Sequence, residues 1–277
     1  MSFASHNPTL LAIRLSAAYS GKQVLRDVEI DIRRGEVLGL VGQSGSGKST
    51  LAMAILGLLD KKKVRTEGLI NFEGHDLLQL SERELRSLRG RAMSLVLQSP
   101  LSSLNPALKI RTQLKEAWLA HSKGSKAEGE RAIRNSLSSV SLPSDDEFQC
   151  KYPSQMSVGQ AQRVLIAMAI MHRPALLIAD EATSALDVIT QSEILALFRE
   201  LNRSTGMAIL YISHDLASVA GICDRIAILH EGKIVECGTT EQTFTCPQHP
   251  YTQRLMAALP RFPNAQAGTA ARAAASQ

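Results

Sequence analysis

Short apolar segments recur along the chain, and several of them are nearly continuous rather than alternating with polar residues. Continuous apolar runs of this kind are typical of central strands in a sheet that is covered on both faces. The predicted strands are Leu10–Leu15, Val28–Ile32, Val37–Val41, Ser94–Leu97, Leu176–Ala179, Ala208–Ile212 and Arg225–Leu229. Segments with helical periodicity alternate with the later strands, at Ser49–Leu59, Gly159–Met171 and Ile189–Asn202. Alternation of strands and helices predicts an α/β domain with a parallel core.

The strand pattern stops between Gln98 and Arg173. This stretch is rich in Ser, Lys and Glu, and its apolar residues have helical spacing. Ile110–His121 and Lys126–Val140 are the clearest examples. We therefore expect an inserted all-helical subdomain at about 99–173, with a small core of its own.

Composition and charge narrow the class of protein only a little. Of 277 residues, 44% are hydrophobic and 21% are charged, which is ordinary for a globular protein. Aromatic residues make up only 4%, too few for a platform that stacks single-stranded bases, so we expect no nucleic-acid partner. The net charge is +5, but the basic residues do not form a dense block, and the short run Lys61–Lys63 is typical of a solvated loop. From Asn264 onwards the sequence is Ala-rich and lacks large apolar residues, so we expect a disordered tail at 261–277.

Neither the cysteines nor the apolar runs indicate a metal centre or a membrane span. The four cysteines are Cys150, Cys223, Cys237 and Cys246. No two of them form a C-x-x-C pair, which argues against a structural zinc site or a redox motif. Met1–Leu15 lacks the pattern of a signal peptide, and the longest uncharged apolar stretches, such as Leu51–Leu59, are far shorter than the ~20 residues of a membrane-spanning helix. We expect a chain that is itself soluble and reaches a membrane only through a partner.

The sequence GQSGSGKS at 42–49 matches the phosphate-binding pattern G-x-x-x-x-G-K-[ST]. It follows the predicted strand Val37–Val41 and opens a predicted helix at Ser49, which is the context that the pattern requires. Glycines allow backbone N–H groups to turn toward phosphate oxygens, and a helix N-terminus favours an anion. We expect Lys48 to reach the β- and γ-phosphates of ATP and the Ser49 hydroxyl to bind Mg²⁺. The candidate nucleotide ligands in this segment are Gly42, Ser44, Gly45, Ser46, Gly47, Lys48, Ser49 and Thr50.

A second candidate element is the apolar strand that ends in Asp180 and Glu181. Asp180 is placed to hold Mg²⁺, usually through water, and Glu181 to polarise the attacking water molecule. Buried strands often end in an acidic residue at a sheet edge, so the pair alone would say little. Behind a phosphate-binding loop at this distance, it predicts nucleotide hydrolysis.

A third element decides the family. The sequence MSVGQ at 156–160 resembles the LSGGQ signature of ABC-transporter ATPases, and further motifs of that family follow its order. They are Tyr19 at the adenine-stacking position, Gln98 at the Q-loop, Ser184–Asp187 at the D-loop and His214 at the switch histidine. Outside this order, a lone tyrosine is more often a packing residue, and a lone histidine a helix cap or a core residue. The resemblance covers about residues 8–260.

The resemblance implies the fold of a P-loop NTPase, with a RecA-like core, an antiparallel β subdomain and the inserted helical subdomain. It also implies a head-to-tail dimer that holds two ATP molecules between its subunits. Ser157, Gly159, Gln160 and Asp187 would then belong to the site that is completed by the partner. His214 would contact the γ-phosphate in cis, while Gln98 would sense Mg²⁺ and water.

Two positions depart from the family pattern. Val158 replaces the first glycine of the usual signature pair, and its β-branched side chain adds bulk beside an expected phosphate. Ala182 replaces the proline that commonly follows the catalytic glutamate. Because Val158 makes this signature atypical, we expect a heterodimer whose second ATPase subunit carries an intact signature.

Three segments resemble importer ATPases for oligopeptides, dipeptides and nickel: the loop after Gln98, Tyr152–Gln155, and His249–Thr252. This resemblance implies membrane-spanning permease subunits as partners, and an extracytoplasmic solute-binding protein that acts indirectly. The expected location is peripheral, at the cytoplasmic face of the inner membrane. Peptides are the preferred cargo, and nickel or metal chelates stay open because none of these segments touches cargo. No cysteine cluster follows near the C-terminus, so we expect no iron–sulfur centre.

Two ABC-type rivals from other functional classes are less well supported. A soluble ABC ATPase that acts on DNA or ribosomes normally carries a coiled-coil insertion or two tandem ATPase halves, and 277 residues hold neither. A regulatory subunit that binds ATP without turnover would not need the full set of Lys48, Asp180, Glu181 and His214.

Overall fold

A computed structural model describes residues 8–258. In that range the strands are β1 (Thr9–Tyr19), β2 (Lys22–Arg33), β3 (Val37–Val41), β4 (Val64–Phe72), β5 (His75–Asp76), β6 (Met93–Val96), β7 (Leu176–Asp180), β8 (Ala208–Ser213), β9 (Arg225–His230) and β10 (Lys233–Thr239). The helices are α1 (Lys48–Ile55), α2 (Glu82–Leu88), α3 (Pro100–Ser103), α4 (Ile110–Leu119), α5 (Lys126–Ser139), α6 (Asp146–Gln149), α7 (Val158–Ile170), α8 (Val188–Thr205), α9 (Leu216–Ile222), α10 (Thr240–Thr245) and α11 (Pro250–Ala257). The tail at 261–277 lies outside the described residues.

The strands form two sheets. A six-stranded sheet has the order β10-β9-β3-β8-β7-β6, and all its neighbours are parallel except β10 and β9. A four-stranded antiparallel sheet has the order β2-β1-β4-β5. The predicted α/β class, with a parallel core and an antiparallel β subdomain, is therefore confirmed.

Both faces of the six-stranded sheet are covered, as the continuous apolar runs predict. Alternate residues of each strand belong to different hydrophobic clusters: in β8, Ile209 and Tyr211 lie in one, and Leu210 and Ile212 in the other. The cluster around Leu210 also contains buried residues of β1, β2, β4 and α1, so the antiparallel sheet and α1 pack on that face. Helices α4, α5, α7, α8 and α9 contribute to the opposite cluster.

The segment between β6 and β7 is helical, as expected, and contains α3 to α7. Its expected core does not stand alone. Ile110, Leu137 and Phe148 belong to the same buried cluster as Leu177 and Tyr211 of the central sheet. The prediction of a separate small core was wrong, because α7 spans both parts and joins their apolar faces.

The structure also differs from the predictions in the end of α1 and in three strands that were not predicted. α1 ends at Ile55 rather than Leu59 because Gly57, with a φ of 62°, turns the chain. The N–H groups of Gly57 and Leu58 donate to the carbonyls of Ala54 and Met53, which closes the helix end. The sequence analysis did not find β4, β5 and β10. β5 and β10 are edge strands, and β5 has only two residues. In β4, which lies between β1 and β5, and in β10, exposed polar residues interrupt the apolar run. None of the helices within residues 8–258 combines the length and apolarity needed to cross a membrane.

Candidate nucleotide-binding and hydrolysis site

The loop between β3 and α1 curls around the amino group of Lys48. Nζ of Lys48 donates to the carbonyl oxygens of Gly42 at 2.8 Å and Gln43 at 3.1 Å, and the residue is only 5% exposed. Helix α1 begins directly behind Gly47, whose φ of 111° suits glycine and strains other residues. Since glycine has no capping side chain, the N–H groups of the first helical turn stay available to an anion. The loop therefore has the form of a phosphate cradle.

The other predicted residues of this segment occupy three positions. Ser44 and Gly45 form the exposed tip of the loop, whereas Ser46 is buried below it. Within residues 8–258, the buried Ser46 hydroxyl has no hydrogen-bond partner. Ser49 and Thr50 lie on the first turn of α1, exposed and half-buried respectively. These positions present hydroxyl groups around the same helix N-terminus.

Glu181 joins Lys48 and His214 in one cluster. Oε1 of Glu181 lies 4.0 Å from Nζ of Lys48 and 3.4 Å from Nδ1 of His214. The backbone fixes the glutamate, because its N–H group donates to the carbonyl of Ile212 on β8. A carboxylate, an ammonium group and an imidazole thus converge at the edge of the parallel sheet.

Asp180, the last residue of β7, is 7% exposed and faces the same region. Burial raises the pKa of its carboxyl group, and the neighbouring Glu181 carboxylate acts in the same direction, while Ser49 and Lys48 oppose them. Burial likewise lowers the pKa of Lys48, against the pull of Glu181 and Asp180. Oδ1 of Asp180 is buried and has no hydrogen-bond partner in the described part of the chain. An unpaired carboxylate oxygen beside a serine hydroxyl is the hard oxygen donor set that Mg²⁺ prefers.

Strand order explains why residues that are distant in sequence meet here. β3, β8, β7 and β6 are neighbours and parallel, so their carboxyl ends lie at one edge. The phosphate loop follows β3, His214 follows β8, and Asp180 ends β7. Gln98 is exposed in the bend after β6, at the same edge. Tyr19, 36% exposed, ends β1 opposite Val64 in the antiparallel sheet.

The signature and the D-loop form a second cluster. Ser157 caps α7: its Oγ accepts from the N–H of Gln160, whose side chain accepts from the N–H of Ser157, each at 3.2 Å. Asp187 caps α8, and Oδ2 accepts from the Thr190 hydroxyl at 2.7 Å. A Cβ on Gly159 would lie 2.7 Å from Cγ2 of Thr190, so the two helix N-termini are in close contact. The side chains of Ser157, Gln160 and Asp187 form hydrogen bonds at the N-termini of their own helices.

The sequence analysis missed side chains that hold these elements together. Thr190 joins the D-loop to the signature, and Gln191 donates from Nε2 to Oδ2 of Asp215, beside His214. A chain of buried hydroxyl groups around Tyr211 also escaped notice. The available signal was a tyrosine within an apolar strand that has both faces covered, where a hydroxyl group needs a partner.

A parallel sheet with a phosphate loop after one strand, and carboxylates and a histidine at the ends of its neighbours, defines a P-loop nucleotide-binding domain. Residues 25–184 match the family model described as ABC transporter. The chain belongs to the ABC transporter family and is an ATPase, as the sequence motifs predict.

Curated relatives and a solved structure agree with this assignment. The chain is 43% identical over 241 residues to the dipeptide transport ATP-binding protein DppD of Bacillus subtilis, covering 87% of this chain and 72% of that protein. It is 43% identical over 238 residues to the oligopeptide transport ATP-binding protein OppD of Salmonella typhimurium, covering 86% and 71%. The dimeric, post-hydrolysis structure of the ATP-binding cassette MJ0796 with ADP and Pi matches with a TM-score of 0.72 and 27% identity, over 83% of this chain and 98% of that one.

Proposed function

We propose that this chain is the ATP-hydrolysing subunit of an ABC importer that energises peptide uptake across the cytoplasmic membrane. The observation that carries the ATPase part is the convergence of Lys48, Glu181 and His214 at one sheet edge. The similarity to dipeptide and oligopeptide transport proteins supports the cargo class. The chain is peripheral in this proposal, and permease subunits hold it at the inner face of the membrane.

The residues of the cluster divide the work. Lys48 and the N–H groups of α1 bind and orient the β- and γ-phosphates, since both present positive charge to an anion. Glu181 accepts a proton from the attacking water, and His214 holds the Glu181 carboxylate and contacts the γ-phosphate. Tyr19 stacks on the adenine. Nζ of Lys48 lies 4.0 Å from Oε1 of Glu181, so the group that binds phosphate and the proposed base are adjacent.

The residues present also fit a magnesium ion. Ser49, Asp180 and Gln98 would hold it, and each offers an oxygen donor at the same edge. When bound, Mg²⁺ neutralises the charge that develops on the phosphate oxygens. Oδ1 of Asp180 supports this assignment, because it is buried and has no hydrogen-bond partner among residues 8–258.

The second ATPase subunit completes the site in this proposal. Ser157, Gly159, Gln160 and Asp187 face the nucleotide of that subunit rather than the cluster around Lys48. A heterodimer accounts for the tolerated Val158, because an intact partner signature would serve this chain's own phosphate loop. An extracytoplasmic solute-binding protein delivers the cargo to the permease.

Uptake in a deletion strain tests the cargo. Deleting the gene is expected to reduce uptake of labelled di- and oligopeptides, and the wild-type gene is expected to restore it while a Lys48→Ala copy does not. Nickel uptake is measured in parallel. Loss of nickel uptake alone would transfer the proposal to metal chelates. Unchanged uptake of both, with loss of a sugar instead, would contradict the cargo assignment and leave the ATPase untouched.

A further inference from the structure

A chain of buried hydroxyl groups lies behind the hydrolysis cluster. Thr183 Oγ1 lies 2.9 Å from Tyr211 OH, and Tyr211 OH donates to Ser218 Oγ at 3.1 Å. Ser218 Oγ in turn donates to the backbone carbonyl of Asp215 at 2.7 Å. Thr183, Tyr211 and Ser218 are 3%, 0% and 4% exposed, so these bonds form away from solvent.

The bond from Ser218 to the Asp215 carbonyl fixes the direction of the other hydrogen bonds among these hydroxyl groups. Ser218 gives its proton to the Asp215 carbonyl, and Tyr211 gives its proton to Ser218, so Thr183 donates to Tyr211. Burial raises the pKa of Tyr211, which keeps the hydroxyl group protonated and able to donate. Bonds in series polarise one another in a low-dielectric interior, so the chain acts as a unit.

One end of the chain is the turn that carries Glu181. Thr183 is two residues beyond the glutamate, and the polypeptide backbone turns back on itself in this segment. Both the N–H group and the hydroxyl of Ser184 donate to the carbonyl of Glu181, at 3.1 Å and 3.0 Å. Holding Thr183 in place therefore holds this short turn, and with it the backbone from which the Glu181 side chain extends.

The other end is the turn that carries His214. Asp215 follows the histidine, and its N–H group donates to Ser213 Oγ at 3.0 Å. The Ser213 and Ser218 hydroxyls lie 3.4 Å apart, which brings the residue before His214 into the same network. Both neighbours of the histidine are thus fixed by groups that connect to Tyr211.

We propose that the Tyr211 hydroxyl is a positioning group for ATP hydrolysis: it ties the turn after Glu181 to the turn around His214 and so maintains the 3.4 Å contact between them. Packing alone does not require this hydroxyl, because a phenylalanine ring fills the same space on β8. The inference rests on the roles proposed above for Glu181 and His214.

Tyr211→Phe tests the proposal in the full-length chain purified with its transporter, by steady-state ATPase kinetics. We expect kcat to fall about tenfold, less than the ~100-fold that a 1 Å misplacement can cost, while KM for ATP stays within about twofold. Thr183→Val removes the hydroxyl at the other end of the same bond and is expected to lower kcat in the same way. Thr183→Ser keeps a hydroxyl group and should retain more of kcat than Thr183→Val. The double variant should lose no more than either single one, because both break one network.

Tyr251→Phe is the matched control. The Tyr251 hydroxyl is also buried, but it has no hydrogen-bond partner among residues 8–258, so its removal should leave kcat and KM unchanged. A folded Tyr211→Phe variant with normal kcat would overturn the proposal, as would losses that add up in the double variant. Glu181→Gln in the same assay separates a failure of the role proposed for Glu181 from a failure of the role proposed for Tyr211. Normal turnover in that variant would refute the role of Glu181 itself, whatever Tyr211 does.

Discussion

Glu181 adopts a backbone conformation that is uncommon for a residue with a side chain. Its φ is 50°, and its N–H group donates to the carbonyl of Ile212 on the neighbouring strand. Such a conformation persists only where the surroundings impose it, and it often occurs at functional sites. Here it turns the chain sharply after β7, which directs the carboxylate toward Lys48 and His214.

Replacing this carboxylate gives the first prediction. Glu181→Gln keeps the size of the side chain but cannot accept a proton, so turnover should fall by ~10²–10⁴-fold while ATP binding remains. ATPase assays and equilibrium binding of labelled ATP measure the two effects separately. Lys48→Ala is the contrasting variant, which should weaken binding itself. Near-normal turnover in Glu181→Gln would remove Glu181 from the role of base.

The signature helix shows why one glycine of the usual pair can be replaced and the other cannot. Val158 is 37% exposed, so its side chain points away from the packed interior. Gly159 faces Thr190 so closely that a Cβ there would lie 2.7 Å from Cγ2. A side chain at 159 would push Thr190 away and disturb the Asp187 cap of α8. The departure from the family pattern thus falls on the more permissive of the two positions.

At the scale of the elements, α11, the last helix of the described residues, packs closely on the sheet. The ring of Tyr251 stacks on His230 with centroids 3.7 Å apart and planes 16° apart. The Glu236 carboxylate on β10 accepts from the N–H groups of Gln248 and His249, and His249 Nδ1 accepts from the N–H of Tyr251. The segment that the sequence analysis related to cargo class is therefore bound to the ATPase core by side chains.

Tyr251→Ala should destabilise this docking, because it removes a buried ring and the stacking of that ring on His230. A loss of about 3 kcal/mol is expected, which for a chain of this size lowers the melting temperature by roughly 6 °C or more. Thermal melts followed by circular dichroism measure it. Tyr251→Phe should melt like the wild type, since the hydroxyl group has no partner. A large loss in Tyr251→Phe would show that the hydroxyl is used after all.

At the scale of the whole molecule, the two functional clusters lie on different helix N-termini. The hydrolysis cluster surrounds the start of α1 at the edge of the sheet, whereas the signature and D-loop occupy the starts of α7 and α8. Val188 and Ile189, just after the D-loop, are 82% and 74% exposed. Large apolar side chains at such exposure suit an interface, and the dimer proposed here would cover them.

A heterodimer leads to a prediction at this scale. If the atypical signature is tolerated because the partner subunit has an intact one, Val158→Gly should preserve or raise ATPase activity of the purified transporter. The exposed position also means that the change should alter the fold little. Gly159→Ala is the matched variant and should lower activity, because its Cβ meets Thr190. Abolished activity in Val158→Gly, with ATP binding intact, would show that Val158 is required rather than tolerated.

The sequence by itself determined the chemistry and the class of fold. Apolar runs marked the central strands because a strand covered on both faces has no room for polar side chains. The phosphate loop and the acid pair were legible because their residues are contiguous. Strands β4 and β10 were not, since exposed polar positions interrupt their apolar pattern.

Only the tertiary structure decided which residues touch. The order β3-β8-β7-β6 brings Lys48, His214, Glu181 and Gln98 to one edge, and no local pattern encodes that order. It likewise decided that the helical insertion shares its core with the sheet, and that Thr183, Tyr211 and Ser218 form a hydrogen-bonded chain. The physical reason is the same in each case: a buried hydroxyl or apolar side chain is satisfied by whatever packs against it, and residues far away in sequence supply that partner.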